Sequence, residues 1–199
     1  QELGHASLAL DYRGVGGSDG EPDPSALAAD GAAMWQEAVR RAGGRPERVV
    51  LRAASLGSVP AASLLDSRAS PRGVVLFAPI RTSTIGEHAP VERHGSFLGT
   101  SVSWFLRDPP GPDLLAVLGR TSVPVLLVAA TEDGYLPEPE RAALFAVAEQ
   151  RGMSTLSFDG DHPQLVSRAF GFVWSAHAGG LAQDLLPAER AFLSGLGGP

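Results

Sequence analysis

Residues 48–57 read Arg-Val-Val-Leu-Arg-Ala-Ala-Ser-Leu-Gly, and this stretch decides how the rest of the chain is interpreted. A short run of β-branched residues and leucine, Val49 to Leu51, gives way to small residues and reaches Ser55, and an alanine-rich segment follows. This order predicts a strand, a tight turn and a helix. A serine at the apex of such a turn lies in strained backbone, close to the free N–H groups of the next helix. The stretch therefore predicts a nucleophile at Ser55.

The usual pattern around such a serine is Gly-x-Ser-x-Gly, and the chain departs from it at the first glycine. Ala53 stands there, while Gly57 is present. Alanine still has little bulk at a point where helix and strand approach closely, so the departure weakens the motif without removing a reacting atom.

Length and composition restrict the class of protein. The 199 residues are 44% apolar and suit one globular domain, 1–199. The formal net charge of −6 and the scattered arginines argue against a nucleic-acid partner, which requires clustered cations. The sequence has no cysteine, which excludes disulfides and thiolate metal sites. It also has no apolar run of the ~20 residues that a transmembrane helix requires.

An uninterrupted apolar run, Gly73–Pro79, is typical of a strand covered on both faces, so a parallel sheet is predicted. Val123–Ala130 is predicted as the strongest strand in the sequence. Shorter strands are expected at Ala6–Tyr12 and Ser154–Phe158. Between and after the strands the composition predicts helices at Pro24–Ala42, Val59–Leu65, 138–151, Leu165–Ala176 and Leu181–Leu193. On the first helix, Asp30 and Glu37 are expected to face solvent. The chain is therefore predicted to have an α/β fold.

Residues 80–119 interrupt the alternation of strands and helices and are predicted to form an inserted cap. Trp104 and Phe105 are expected to pack the cap onto the body. A metal site built from His88, Glu92 and His94 is disfavoured, because the spacing is wrong and a third convincing ligand is absent.

The glycine cluster at 14–20 is interpreted as a loop. A dinucleotide fingerprint is disfavoured because Asp19 stands where the third glycine is required. No cofactor and no metal is expected.

Three polar residues each follow the end of a predicted strand: Ser55, Asp133 and His162. Because ligand chemistry in open α/β sheets gathers at the carboxyl ends of the strands, these residues are expected to meet. Their order in the chain is nucleophile, acid, base, which differs from the orders in the two serine-protease folds. Glu132 and Asp161 are rivals for the acid and are less well placed.

Several segments together resemble the α/β-hydrolase fold, and within it the serine hydrolases described as serine aminopeptidase-like or monoacylglycerol lipase-like. Residues 11–20, Asp-Tyr-Arg-Gly-Val-Gly-Gly-Ser-Asp-Gly, are similar to that group's Asp-Tyr-Arg-Gly-x-Gly-x-Ser-x-Gly loop. Ser-Leu-Gly at 55–57 resembles the elbow, and Gly160-Asp161-His162 resembles the histidine loop. Pro124-Val125-Leu126-Leu127-Val128, with Asp133 and Pro137, is similar to the acid strand and loop. The departures are Ala53 and the pair Ala129-Ala130, where His-Gly is usual.

The resemblance implies a three-layer α/β/α sandwich with a mostly parallel sheet and a catalytic triad of Ser55, His162 and Asp133. Ser55 would attack an ester carbonyl, or less favourably an amide, and the backbone N–H of Leu56 would form half of the oxyanion hole. The implied partner is a small ester or acyl substrate. A cytoplasmic location is expected unless a signal precedes Gln1, and the sequence predicts no oligomeric state.

The resemblance also implies that the domain is partial. The family's first three strands precede the Ala6–Tyr12 position, and the loop after the third of them normally supplies the second oxyanion N–H. We therefore expect an N-terminally truncated part of a hydrolase about 60–100 residues longer, judging from ordinary strand and connection lengths.

Two functions remain open at this point: a serine esterase or related acyl hydrolase, and a degenerate member of the fold that acts as a binding or scaffold protein. The presence of all three triad residues favours the enzyme.

Overall fold

A computed structural model of the chain describes residues 5–81, 111–162, 165–166 and 185–197. Its centre is a four-stranded sheet in the order β1-β2-β3-β4, and every pairing is parallel. The strands are β1 Val50–Ala54, β2 Gly73–Phe77, β3 Val125–Ala130 and β4 Ser154–Phe158. The helices are α1 Leu27–Arg41, α2 Ser58–Asp66, α3 Leu114–Leu118, α4 Glu138–Gln150 and α5 Leu185–Gly195. The predicted parallel sheet is confirmed.

The two central strands are buried along their whole length. Each residue of β2 and β3 is buried, because helices cover both faces of the sheet at these positions. This explains why both strands read as continuous apolar runs instead of alternating ones. Fully burying one valine or leucine side chain contributes about 1.5–3 kcal/mol, so these strands dominate the core.

The core lies on both faces of the sheet, so the domain has three layers. On one face, side chains of α2, α3 and α4 cover the strands; this cluster includes Leu51, Leu76, Leu127, Leu64, Leu118 and Leu144. On the other face, Phe77, Val128 and Phe158 pack with Leu165 and with Leu185 of α5. The α/β/α sandwich expected from the resemblance is therefore present.

Helices α1 and α2 cross at a glycine. A Cβ atom added at Gly31 of α1 would lie only 2.4 Å from Pro60 Cβ in α2. Non-bonded carbon atoms do not approach so closely, so this crossing requires a residue without a side chain. Gly31 therefore allows α2 to pack closely against α1 at Pro60.

The prediction of a strand at Ala6–Tyr12 is wrong. Residues 5–11 are exposed, and 5–12 form no ladder with any described strand. A strand exists only where a neighbour accepts its backbone hydrogen bonds, and among the described residues β1 pairs on one side alone. The apolar composition of residues 6–12 suits a strand, but composition does not show whether a neighbouring strand is present to pair with it.

The loop 11–20 is folded onto itself and onto α1. Asp11 Oδ2 accepts a hydrogen bond from Gly17 N–H at 3.0 Å, and Ser18 Oγ donates to the Asp11 carbonyl at 2.6 Å. Arg13 donates through its backbone N–H and its guanidinium to the Asp30 carboxylate. Asp30 is thus largely covered, so the prediction that it faces solvent on α1 is wrong. The reason is the contact with Arg13, which lies 17 residues earlier in the chain.

Most of the predicted cap, residues 82–110, lies outside the described residues, and so do His88, Glu92, His94, Trp104 and Phe105. The described end of that segment contains α3, whose Leu114, Val117 and Leu118 are buried in the body. The cap itself stays a prediction. In the described ranges, no helix has the length and apolarity needed to cross a membrane.

Candidate active site

Ser55 occupies the turn between β1 and α2. Its φ angle is +48°, in the left-handed region that residues with a side chain rarely adopt. Residues 55–57 form a single 3-10 turn, and α2 begins at the next residue. The predicted order of strand, tight turn and helix is confirmed. Backbone strain of this kind costs of order 1–3 kcal/mol, so the surrounding structure has to hold Ser55 in place.

The departure at Ala53 causes no crowding at the turn. Even a Cβ atom added at Gly57 would lie 3.6 Å from Ala53 Cβ, which is ordinary van der Waals contact. The methyl group of Ala53 therefore fits beside the turn without displacing it.

Asp133 follows β3 and is buried, with a side chain that is 0% exposed. Its Oδ1 accepts two backbone hydrogen bonds, from Tyr135 N–H at 2.8 Å and from Leu136 N–H at 3.2 Å. These bonds fix the plane of the carboxylate and leave Oδ2 for another partner. The turn that places the acid is therefore made by the residues that immediately follow it.

His162 joins the acid to the serine. Its Nδ1 lies 2.7 Å from Asp133 Oδ2, and its Nε2 lies 2.7 Å from Ser55 Oγ. A carboxylate can only accept, so Nδ1–H donates to Asp133, and in the neutral ring Nε2 then accepts from the Ser55 hydroxyl. This arrangement can withdraw the hydroxyl proton as the oxygen attacks a carbonyl.

The three residues meet because of the direction of the strands. Ser55 follows β1, Asp133 follows β3 and His162 follows β4, and all of these strands are parallel. Their carboxyl ends consequently share one edge of the sheet. The structure thus brings together residues that are 107 and 29 positions apart in the sequence.

The rival acids are placed differently. Glu132 precedes Asp133, and its side chain is exposed, while its backbone N–H donates to the Gly160 carbonyl at 2.9 Å. Asp161 precedes His162 and is half-buried, and the carboxylate on the imidazole Nδ1 is that of Asp133. Of the other histidines, His5 is exposed, and 88, 94 and 177 lie outside the described residues.

Tyr135 lies beside the candidate triad, and the sequence did not single it out. Its ring centroid lies 4.7 Å from that of His162, with the two planes tilted by 52°. Burial and then the charge of Asp133 raise the pKa of the Tyr135 phenol above its ordinary value, so the hydroxyl stays neutral at pH 7. A tyrosine two residues after a candidate acid is the signal that could have identified it.

An apolar cluster borders the site. Leu27, Val59 and Ile80 are buried, and the half-buried Tyr12, Leu56 and Tyr135 pack against them. Leu56 thus has a packing role through its side chain. The role expected of its backbone N–H in an oxyanion hole stays a prediction.

Across the part of the chain that the structure describes, no group of three or more histidine, aspartate or glutamate residues could hold a metal ion.

Comparison with known proteins finds alpha/beta hydrolase domain-containing proteins among the relatives of this chain. No family model matches the chain. It is similar to human alpha/beta hydrolase domain-containing protein 17B, with 31% identity over 138 residues, which cover 69% of this chain and 43% of that protein. Mouse alpha/beta hydrolase domain-containing protein 17C is also 31% identical over 138 residues, covering 69% of this chain and 39% of that protein. The chain spans less than half the length of these relatives.

Solved structures agree with the sequence comparison. An esterase from Pyrococcus furiosus superposes with a TM-score of 0.73 at 17% identity, covering 99% of this chain and 72% of that one. A carboxylesterase from Lactobacillus plantarum gives a TM-score of 0.54 at 14% identity, covering 86% of this chain and 68% of that one. At such low identities the likeness concerns the fold.

Proposed function

Because this chain is an α/β-hydrolase-fold protein with Ser55, His162 and Asp133 joined by hydrogen bonds, we propose that it is a serine hydrolase that cleaves a carboxylic ester. The observation that carries the proposal is the position of His162, whose two ring nitrogens lie 2.7 Å from the acid and 2.7 Å from the serine hydroxyl. The strained φ angle of Ser55 supports it further. A serine with only a structural role has no need of a costly backbone conformation or of a base on its hydroxyl.

In the acylation step, Ser55 Oγ forms a bond to the ester carbonyl carbon while His162 Nε2 takes the hydroxyl proton. The resulting oxyanion collapses, and the bond from carbon to the alcohol oxygen breaks. His162 returns its proton to that oxygen, and the alcohol leaves. The enzyme is then an acyl ester of Ser55.

In the deacylation step, a water molecule replaces the alcohol. His162 Nε2 accepts a proton from the water as its oxygen attacks the acyl carbon, and the proton is then given to Ser55 Oγ as that bond breaks. The products are a carboxylic acid and the free serine.

Asp133 and Leu56 have supporting roles in this mechanism. Asp133 keeps the proton of the neutral imidazole on Nδ1 and stabilises the imidazolium, and its buried carboxylate is held for that purpose by Tyr135 N–H and Leu136 N–H. The backbone N–H of Leu56 follows the nucleophile directly and would donate to the oxyanion. One such donor typically contributes about 10²–10³ in rate.

The test is hydrolysis of a panel of p-nitrophenyl esters of increasing acyl length, beside aminoacyl arylamides, by the chain and by Ser55→Ala. We expect turnover of at least one ester and its loss in Ser55→Ala. Ser67→Ala is a matched control, because Ser67 is an exposed serine at the far end of α2 that donates to Leu64 O. Equal turnover by Ser55→Ala would contradict the proposal, and turnover of the arylamides alone would correct the substrate class.

A further inference from the structure

Ser58 is a buried polar residue that the mechanism above does not use. It is the first residue of α2 and is 1% exposed. Its hydroxyl donates to the carbonyl oxygen of Ser55 at 2.6 Å and accepts from the backbone N–H of Ile80 at 3.1 Å. The Ile80 carbonyl, at 3.3 Å, is a longer alternative acceptor. One hydroxyl therefore connects the nucleophile's own peptide to the chain that leaves β2.

These two bonds act on the strained residue. The φ angle of Ser55 is +48°, and the orientation of its carbonyl sets the peptide plane between Ser55 and Leu56. That carbonyl also accepts from the Ser58 backbone N–H, so Ser58 holds it through two donors. The direction of the Leu56 N–H depends on the same peptide plane. Ser58 is consequently bonded to the group that orients both the nucleophile and the donor beside it.

The other end of this connection is anchored as well. Arg81, next to Ile80, donates to Asp113 Oδ2 at 2.8 Å and is also paired with Glu140. Glu140 lies in the first turn of α4, the helix that follows the Asp133 loop. The backbone at Ile80 is thus held in place by ion pairs of the adjacent Arg81, one of them to the helix after the Asp133 loop. The Ser58 hydroxyl connects this anchored backbone to the carbonyl of Ser55.

We propose that Ser58 is a positioning residue for the Ser55 nucleophile, acting through the Ser55 carbonyl and the Ile80 N–H; the inference rests on the proposed function. Displacement of a reacting group by about 1 Å can cost about 100-fold in rate. Losing the Ser58 hydroxyl frees the turn to relax, so Ser55 shifts relative to His162 although all three triad side chains are still present. The expected effect is on kcat and not on KM, because no substrate contact is removed.

A different role predicts a different result. If the hydroxyl only satisfies the buried N–H of Ile80, its loss lowers stability and leaves the rate of the folded enzyme unchanged. Melting temperature and rate therefore have to be measured on the same samples.

The experiment compares Ser58→Ala, Ser58→Cys and Ser58→Thr with the unaltered chain. Cysteine fills the space with a weak hydrogen-bonding group, and threonine retains the hydroxyl. Ser63→Ala is the matched control, because Ser63 lies in the same helix and its hydroxyl donates to a carbonyl of that helix, Val59 O at 3.1 Å. Two sets of quantities are measured. The first is the second-order rate constant of labelling by a fluorophosphonate probe, and the second is kcat and KM for the ester that is turned over best.

We expect Ser58→Ala and Ser58→Cys to lower kcat and the labelling rate by about 10- to 100-fold with KM within about twofold, and Ser58→Thr to recover most of the rate. Ser63→Ala should stay within about twofold of the unaltered chain. Equal rates in folded Ser58→Ala or Ser58→Cys would overturn the inference alone, and so would a Ser58→Thr rate no higher than that of Ser58→Ala. An unaltered chain that is neither labelled nor active would overturn the proposed function and this inference together.

Discussion

The imidazole Nδ1 of His162 and the Oδ2 of Asp133 lie 2.7 Å apart, although 29 residues separate them in the sequence. The same carboxylate accepts two backbone N–H groups at Oδ1, so it is held on one side and presented to the histidine on the other. This pairing leaves Nε2 of the neutral ring free to accept the Ser55 proton.

Asp133→Asn should therefore reverse the tautomer of the His162 imidazole. The carboxamide can keep its oxygen on the two backbone N–H groups and then turns its NH₂ toward Nδ1, which has to become an acceptor. Nε2 would carry the proton and could not withdraw one from Ser55. We expect a loss of turnover up to about 10⁴-fold, as in the serine-protease template, with a nearly unchanged melting temperature. Glu132→Gln is the control and should change turnover little, since that side chain is exposed; the reverse ranking would show that the acid is misassigned.

The aromatic ring of Tyr135 should contribute to turnover. The ring lies 4.7 Å from that of His162 and restrains the imidazole, and it can stabilise the imidazolium that forms when the serine is deprotonated. Tyr135→Phe should keep nearly full kcat, while Tyr135→Leu should lose about 2- to 30-fold, from the usual range of cation–π energies. Steady-state kinetics on both variants decide the point. A phenylalanine variant as slow as the leucine variant would assign the effect to the hydroxyl.

Much of the fold and the meeting of the three candidate site residues could be predicted because they depend on local pattern. The apolar runs of β2 and β3 identify strands that are covered on both faces, and the polar residues that follow β1, β3 and β4 must share an edge once the sheet is parallel. Neither inference requires knowledge of a contact between distant side chains.

The features that could not be predicted depend on contacts between residues that are distant in the sequence. The segment Ala6–Tyr12 has the composition of a strand and no described neighbour, and Asp30 is covered by an arginine from a loop 17 residues earlier. Ser58 resembles any serine at the start of a helix, and Tyr135 resembles any half-buried aromatic residue, until their neighbours Ile80 and His162 are placed.

Gly31→Ala should destabilise the protein, although alanine is the better helix former by about 1 kcal/mol. The added Cβ would lie 2.4 Å from Pro60 Cβ, so α1 and α2 must separate, and overpacking of this kind costs about 1–3 kcal/mol. Gly195→Ala, in α5 where a Cβ atom meets nothing within 4 Å, is the control and should be neutral or stabilising. Urea titration of both variants measures the difference. A Gly31→Ala protein as stable as the unaltered chain would show that the two helices are not in close contact.

The Arg13–Asp30 pair should give a pH-dependent contribution to stability. The hydrogen bonds from Arg13 hold the pKa of Asp30 below its ordinary value, so the folded state favours the charged carboxylate. The stabilisation is complete above the unfolded pKa near 4 and is lost as the pH falls through the lower folded pKa. Asp30→Asn should therefore melt at a lower temperature than the unaltered chain at pH 7, and the gap should shrink below about pH 4.

Melting curves from pH 3 to pH 7 test this prediction, with Asp19→Asn as the control, because the Asp19 side chain is exposed. A gap between Asp30→Asn and the unaltered chain that stays constant over the whole range would mean that the charge of Asp30 is not what stabilises the loop.

The central claim is that Ser55 is a nucleophile activated by His162, and reaction with a fluorophosphonate probe tests it most directly, because the probe bonds covalently only to an activated serine oxygen. Peptide mass spectrometry of the labelled chain should locate the phosphonyl group on Ser55 alone. Ser55→Ala should remain unlabelled and His162→Ala should label far more slowly, with both variants folded at the temperature of the labelling reaction. A folded chain that stays unlabelled, or one that carries the label on another serine, would contradict the account.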